Sequence, residues 1–173
     1  IALAHNGNLV NTTELRDELS GIGVRFRSTT DSEVIATLVG HYTQIHNSIR
    51  AGIRETMQLI RGAYASVLLT EEAVYAFRDP YGIRPLVLGK LDGVGHVISS
   101  ETCGLDIIAA EFVREIEPGE MVKISANGVE VERAVPAEKP SICMFEYIYF
   151  SRPDSIMNDC TLYEARRQMG ARL

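Results

Sequence analysis

The sequence has few cysteines, and none of them lies in a paired motif. Of 173 residues only three are cysteine, Cys103, Cys143 and Cys160, and no two of them form a CxxC pair. An odd number of isolated cysteines argues against a disulfide framework. We therefore expect a protein of the reducing cytoplasm.

The chain also lacks the patterns of several large protein classes. No apolar run approaches the ~18 residues that a membrane-spanning helix needs. The sequence contains no GxGxxG, no P-loop and no GxSxG nucleophile elbow. Seventeen basic residues against 23 acidic ones give a formal net charge of −6, which argues against a general binder of phosphate backbones. We expect partners other than nucleic acids and membranes.

What remains is a globular composition, 46% hydrophobic and 23% charged, with two kinds of periodicity. Helical spacing after candidate N-caps at Asn11, Thr30 and Ser48 predicts three helices, with Glu14 and Glu33 as capping-box partners. From about residue 63 the apolar residues follow the two-residue alternation that is typical of β-strands. We predict strands at 63–70, 73–77, 86–89, 96–100, 121–125 and 129–133, and a short helix at 103–110. Helices followed by strands without βαβ alternation indicate an α+β fold.

A proline-containing segment divides the chain. Residues 136–143 predict a linker between a unit at 1–135 and a second unit, which begins with an aromatic strand at 144–150. The chain opens on an apolar run typical of a buried strand already under way, and it closes within an apolar helical pattern that includes Met169. We therefore expect a piece of a longer chain.

Two places carry candidate chemistry, and each has a plain structural alternative. The Gly7 amide is open to close approach and lies beside the Asn6 side-chain donor, which is typical of an oxyanion hole but also of an Asn-Gly turn at a strand end. Asp31 suits the first turn of a helix on electrostatic grounds, and it equally suits a ligand ammonium group. We predict a structural loop held by ion pairs at Arg78, Asp79 and Arg84.

Three motifs in order carry a family resemblance. They are His5-Asn6-Gly7-Asn8-Leu9, Ser28-Thr29-Thr30-Asp31-Ser32-Glu33 and Arg78-Asp79-Pro80-Tyr81-Gly82-Ile83-Arg84-Pro85-Leu86. Together they resemble the class II glutamine amidotransferases, which use an N-terminal cysteine as nucleophile. Within that superfamily, Glu146 to Ser155 and the helix that follows resemble the amidophosphoribosyltransferases, which open purine biosynthesis.

The resemblance implies a fold and a set of roles. Residues 1–135 would form most of the αββα sandwich of the N-terminal-nucleophile hydrolases, and residues 144–173 would begin an α/β phosphoribosyltransferase domain. Asn6 and Gly7 would form the oxyanion hole, and Asp31 would bind the α-ammonium group of L-glutamine. The cysteine nucleophile, the arginine for the glutamine carboxylate and the phosphoribosyl diphosphate loop would lie outside this chain, which would be inactive alone.

The resemblance also implies cofactors and partners. Mg²⁺ would serve the phosphoribosyl diphosphate site. Cys143 matches one ligand of the [4Fe–4S] cluster that some family members carry, but a cysteine at this place also occurs in members without a cluster, in which it would be a buried thiol beside an aromatic strand. A homo-oligomer is expected. Two alternatives stay open, namely another class II amidotransferase of the glucosamine-phosphate synthase or asparagine synthetase type, and a glutaminase-like domain that only binds.

Overall fold

Three helices precede most of the strands, as the sequence predicts. The computed structural model describes residues 1–173. In chain order the first elements are β1 (Ala2–Leu9), α1 (Thr12–Gly21), α2 (Asp31–His46) and α3 (Ile49–Leu59). Ser48 caps α3 as predicted, because its Oγ accepts the Ala51 N–H at 3.3 Å.

The predicted capping box of Asn11 and Glu14 does not form. The Asn11 side chain donates to the Leu59 carbonyl and accepts the Arg61 N–H, both at 2.9 Å. Asn11 therefore joins the start of α1 to the end of α3 instead of closing its own helix. This long-range use of a candidate cap cannot be read from local spacing.

The rest of the first unit consists of seven strands and one helix, and the strands, together with β1, form two antiparallel sheets. The elements are β2 (Gly62–Leu69), β3 (Ala73–Arg78), β4 (Val87–Leu91), β5 (Gly95–Ser99), α4 (Thr102–Ile107), β6 (Glu111–Glu115), β7 (Glu120–Ser125) and β8 (Gly128–Arg133). One sheet has the order β1-β2-β3-β7-β8 and the other β5-β4-β6. Strand β6 was not predicted from the sequence. It has a glutamate at each end and exposes both Phe112 and Val113.

Three apolar clusters show how the layers are stacked. The largest packs α1, α2 and α3 on one face of the five-stranded sheet, through residues such as Ile35, Ile53 and Phe77. A second lies between the two sheets and includes Ala65 and Val122, and a third packs α4 on the three-stranded sheet. The order helices, sheet, sheet, helix confirms the expected αββα sandwich.

The first strand differs from its predicted form in two ways. It is an edge strand whose residues 2–6 are exposed or half-buried, rather than a buried strand. It also continues through the Asn-Gly pair, since Gly7 faces Tyr64 and Asn8 faces Ala63 in the β1–β2 register. The predicted turn at this position is therefore wrong, because pairing with β2 keeps the backbone extended.

The C-terminal segment packs on the first unit. Residues 136–143 form neither helix nor strand, and the N–H groups of Glu138, Ser141 and Cys143 donate to carbonyls of the loop that follows β3. The aromatic segment predicted as a strand is a π-helical turn over Glu146–Phe150. Two short paired strands, β9 (Ile156–Met157) and β10 (Cys160–Thr161), then lead into α5 (Leu162–Ala171).

Candidate functional site

The Asn6 side chain lies on the sheet face that looks toward the second sheet. Asn6 is opposite Ala65, a member of the cluster between the sheets, and opposite residues of an antiparallel pair share a face. The Asn6 side chain is exposed and makes no hydrogen bond within the chain. Its amide is therefore open to a ligand.

The Gly7 amide lies on the free edge of the same strand. The Val10 N–H donates to the Arg61 carbonyl at 2.8 Å, which fixes the phase of the β1–β2 ladder. Because hydrogen-bonded and non-bonded pairs alternate, the Gly7–Tyr64 pair is a non-bonded one and the Gly7 N–H is directed away from β2. Among the strands of this chain, β2 alone pairs with β1.

Only glycine fits at position 7. Its φ is +145°, and a Cβ placed on it would lie 2.0 Å from the Ala63 carbonyl oxygen. The missing side chain thus permits close pairing with β2 while the outer edge of the strand stays open.

Asp31 joins the start of α2 to the same edge of β1. Its Oδ2 accepts the Leu9 N–H at 3.1 Å, and its Oδ1 lies 3.5 Å from Nδ1 of His5. Leu9 is two residues beyond Gly7, so the two N–H groups point to the same side of the strand. One-fifth of the Asp31 side chain is exposed, so part of the carboxylate can be reached by a ligand.

Glu33 holds the loop that leads into α2. Its carboxylate accepts the backbone N–H groups of Arg27 at 2.7 Å and Ser28 at 2.8 Å, and these bonds lower the pKa of Glu33. The predicted capping box with Thr30 is therefore wrong, although Thr30 is the N-cap residue. The carboxylate reaches further back and fixes the approach to Asp31.

The loop after β3 is structural, as predicted. The Asp79 carboxylate is buried and accepts the N–H groups of Tyr64, Tyr81 and Ile83, and burial raises the pKa of Asp79. Arg78 is also buried, donates to three backbone carbonyls and lies 3.4 Å from Glu115. Its ion-pair partner is therefore across the sheets rather than within the loop.

A cavity of about 520 Å³ separates the candidate site from the C-terminal segment. The first unit contributes Gly7, Asn8, Ala63, Arg84 and Glu101, and the C-terminal segment contributes Cys143, Glu146 and Phe150. Arg84 and the almost fully buried Glu146 form an ion pair at 3.1 Å across this boundary. The structure thus places Asn6 and Gly7 on β1, with Asp31 bound to the same strand through the Leu9 N–H, and Cys143 lines the same cavity as Gly7.

Two carboxylates that bind the C-terminal segment, those of Glu101 and Glu146, were not predicted as functional residues. Glu146 lies inside an aromatic run, and Glu101 follows a pair of serines that predicts only a strand end. Glu101 accepts the Arg152 N–H at 2.9 Å and the Ser155 hydroxyl at 2.7 Å. Neither contact has a local signal, because the partners lie more than 50 residues away from Glu101 along the chain.

Metal-binding groups do not cluster in this chain. All three cysteines are free, and nowhere do three His, Cys, Asp or Glu side chains come together in a way that could hold a metal ion. Cys143 is half-buried and would contribute a single thiolate to any cluster. None of the helices combines the length and apolar character that a membrane crossing requires.

Comparison with known proteins identifies similar chains. Residues 1–106 match the family model described as a glutamine amidotransferase domain. Over its whole length the chain shares 49% sequence identity with an amidophosphoribosyltransferase from Synechococcus elongatus and 42% with one from Bacillus subtilis. In each case the match covers 36% of the relative. The chain thus spans about a third of the length of the curated relatives it matches.

A solved structure is similar over almost the whole chain. The glutamine phosphoribosylpyrophosphate amidotransferase from B. subtilis, complexed with ADP and GMP, matches 98% of this chain with a TM-score of 0.93 and 41% identity. The match covers 36% of that protein.

Proposed function

The chain belongs to the family of glutamine amidotransferase domains, and on that basis we propose that it is the glutamine-binding part of an amidophosphoribosyltransferase. The full-length enzyme would hydrolyse L-glutamine to glutamate and ammonia. The ammonia would then displace pyrophosphate from phosphoribosyl diphosphate to give phosphoribosylamine. Similarity to amidophosphoribosyltransferases over all of this chain supports the assignment.

One observation carries the proposal for the glutamine half. A donor at Gly7 and an acceptor at Asp31 lie along a single open strand edge, with Leu9 as the residue that holds Asp31 there. Glutamine has a side-chain amide at one end and an α-ammonium group at the other, so its recognition needs a donor and an anion separated along its length.

Asn6 and Gly7 would act on the transition state. When a thiolate attacks the side-chain amide carbon of glutamine, the carbonyl oxygen becomes an oxyanion. The Asn6 amide and the Gly7 N–H would both donate to it, and neither group titrates. Loss of one such donor typically raises the barrier by about 3 kcal/mol, or roughly 10²-fold in rate.

Asp31 would act on the ground state. Its Oδ2 is bound to the Leu9 N–H, so its Oδ1 is the oxygen available to the α-ammonium group. A charge-assisted hydrogen bond of this kind contributes roughly 1.5–3 kcal/mol. Asp31 is the first residue of α2, a position that suits an acidic side chain in a helix.

The nucleophile would come from outside this chain. In the family it is an N-terminal cysteine whose own α-amino group acts as the base, whereas all three cysteines here have their amines in peptide bonds. Cys143 borders the cavity beside Gly7 but lacks that base. In a family member with a [4Fe–4S] cluster, Cys143 would instead supply one of the thiolate ligands.

The remaining assignments belong to the whole protein. Mg²⁺ would bind at the phosphoribosyl diphosphate site, outside this chain, and would assist departure of pyrophosphate. The enzyme would be a cytoplasmic homo-oligomer. The chain on its own, without the nucleophile and the second site, would be inactive.

Pyrophosphate release tests the proposal. The full-length protein is given phosphoribosyl diphosphate and Mg²⁺, with glutamine or with ammonia as the nitrogen donor. We expect release with both donors. Release with neither from a folded protein would overturn the proposal, and it would favour either an amidotransferase with another acceptor or a domain that only binds.

A further inference from the structure

The buried imidazole of His5 lies between the two parts of the candidate glutamine site. Only 1% of its side chain is exposed. Its Nδ1 lies 3.5 Å from Oδ1 of Asp31 and 3.4 Å from the Ser32 hydroxyl, so one nitrogen of the ring is directed at the start of α2.

The other ring nitrogen lies beneath Gly7. A Cβ placed on Gly7 would be 2.9 Å from Nε2 of His5, which puts the ring directly against the glycine. This Nε2 is buried and has no hydrogen-bond partner. A single side chain therefore contacts the residue with the candidate oxyanion donor and the candidate ammonium-binding carboxylate.

Packing alone does not account for an imidazole at this position. A buried nitrogen without a partner is unfavourable, and an apolar side chain of similar volume would fill the space without that penalty. The core cluster on the helix-facing side of this sheet is built from apolar side chains such as Leu9 and Val34. The contact that distinguishes histidine from leucine here is the one between Nδ1 and the Asp31–Ser32 pair.

The Asp31 carboxylate needs a second contact to fix its plane. Its Oδ2 has one bond, from the Leu9 N–H, and a carboxylate held by one bond can rotate about that contact. In the tautomer that carries its proton on Nδ1, the His5 ring would place a donor 3.5 Å from Oδ1 and restrict this rotation. The oxygen that faces a ligand is then held in one orientation before the ligand arrives.

We propose that His5 is a positioning residue, whose imidazole holds Asp31 and Gly7 in a fixed relation so that glutamine is bound with its amide at the oxyanion hole. The proposal rests on the proposed function of the site. His5 does not contact the reacting atoms, and it acts through Asp31 and Gly7.

Three substitutions of His5 in the full-length protein distinguish the contribution of Nδ1 from that of Nε2. His5→Asn keeps a donor near the place of Nδ1, His5→Gln moves the amide toward the place of Nε2, and His5→Leu removes both. The readouts are KM and kcat with glutamine, and the rate with ammonia. The matched control is His46→Asn, because His46 is exposed and lies 4.0 Å from Glu55, far from the site in sequence and in the fold.

We expect His5→Leu to raise KM for glutamine about tenfold to a hundredfold, since small misplacements of binding groups have effects of this size. The rate with ammonia should be unchanged. His5→Asn should recover most of the loss and His5→Gln little of it, while His46→Asn should match the wild type.

Two results would overturn the role of His5 and leave the proposed function in place. One is an unchanged KM for glutamine in His5→Leu, and the other is equal KM values in the Asn and Gln variants. Equal loss of the glutamine and ammonia rates would show a purely structural residue. If His5→Leu does not fold, the Asn and Gln pair decides the matter, because both retain a polar amide. A wild-type protein that uses ammonia but not glutamine would instead contradict the proposed function.

Discussion

The Leu9 N–H donates to Oδ2 of Asp31 at 3.1 Å, and this bond joins the open edge of β1 to the first residue of α2. The two residues are 22 positions apart in the chain. The bond brings an acid into line with the Gly7 amide on the same strand edge. This arrangement lets one strand present both a donor and an anion to an extended ligand.

Replacement of Asp31 should weaken glutamine binding and spare the chemistry. Asp31→Asn keeps an acceptor for the Leu9 N–H but removes the charge, so it isolates the contact with the ligand ammonium group. We expect KM for glutamine to rise about 10–100-fold, from the strength of a charge-assisted hydrogen bond. Steady-state kinetics of the full-length protein should show the ammonia-dependent rate unchanged. Loss of both rates would assign Asp31 to the fold instead.

A methyl group at position 7 should disrupt the strand. In Gly7→Ala the new Cβ would lie 2.0 Å from the Ala63 carbonyl oxygen, so β1 must move away from β2. We expect loss of the glutamine-dependent rate and faster hydrogen exchange in β1 and β2. The matched control is Gly40→Ala in α2, where a Cβ would meet nothing within 4 Å. That variant should be neutral or stabilised by up to about 1 kcal/mol.

The ion pair of Arg84 and Glu146 should respond asymmetrically to substitution. Glu146 is only 2% exposed, so Arg84→Met leaves an unpaired buried carboxylate, which typically destabilises by about 3–5 kcal/mol. Adding Glu146→Gln should recover much of this loss. Hydrogen exchange of residues 146–151 in the full-length protein measures the effect. Arg152→Met is the control, because its pair with Asp154 is exposed. Equal protection in all variants would show that this pair does not hold the C-terminal segment.

Asp79 should make the loop after β3 more stable as pH falls. Burial raises its pKa in the folded state above the usual 3.8, so the folded protein binds the proton more tightly than the unfolded chain. The contribution to stability therefore increases as pH falls through the raised pKa, and it levels off below about 3.8. The measurement is the hydrogen-exchange protection of the Tyr64 amide in the wild type and in Asp79→Asn at each pH. The ratio of wild-type to variant protection should increase as pH falls. A pH-independent ratio would contradict the raised pKa.

The sequence predicted most of the sandwich because its elements have clear local signals. Strong helical stripes indicated α2 and α3, and alternating patterns at 121–125 and 129–133 indicated β7 and β8. Strand β6 was missed because charged ends interrupt its apolar residues. The aromatic run at 144–150 was wrongly predicted as a strand, since it forms a π-helical turn whose fold depends on contacts such as Arg166 to the Tyr147 carbonyl.

The candidate site was predicted in part for a similar reason. The motifs predict Asn6, Gly7 and Asp31 as site residues, and that assignment stays a prediction, whereas the turn expected at the Asn-Gly pair does not form. Only the pairing of Gly7 with Tyr64 shows that the strand continues. His5 was not identified as a candidate site residue, because its role depends on a contact with Asp31 that only folding brings about.

The most direct test of the account is the ratio of glutamine-dependent to ammonia-dependent pyrophosphate release in Asn6→Ala. Asn6 lies on β1 with a free side-chain amide, so its removal should lower kcat with glutamine about 10²–10³-fold and leave KM and the ammonia rate nearly unchanged. Asn127→Ala, in the exposed turn before β8, serves as the control. An unchanged kcat with glutamine, or an equal fall in both rates, would contradict the placement of the oxyanion hole on this strand.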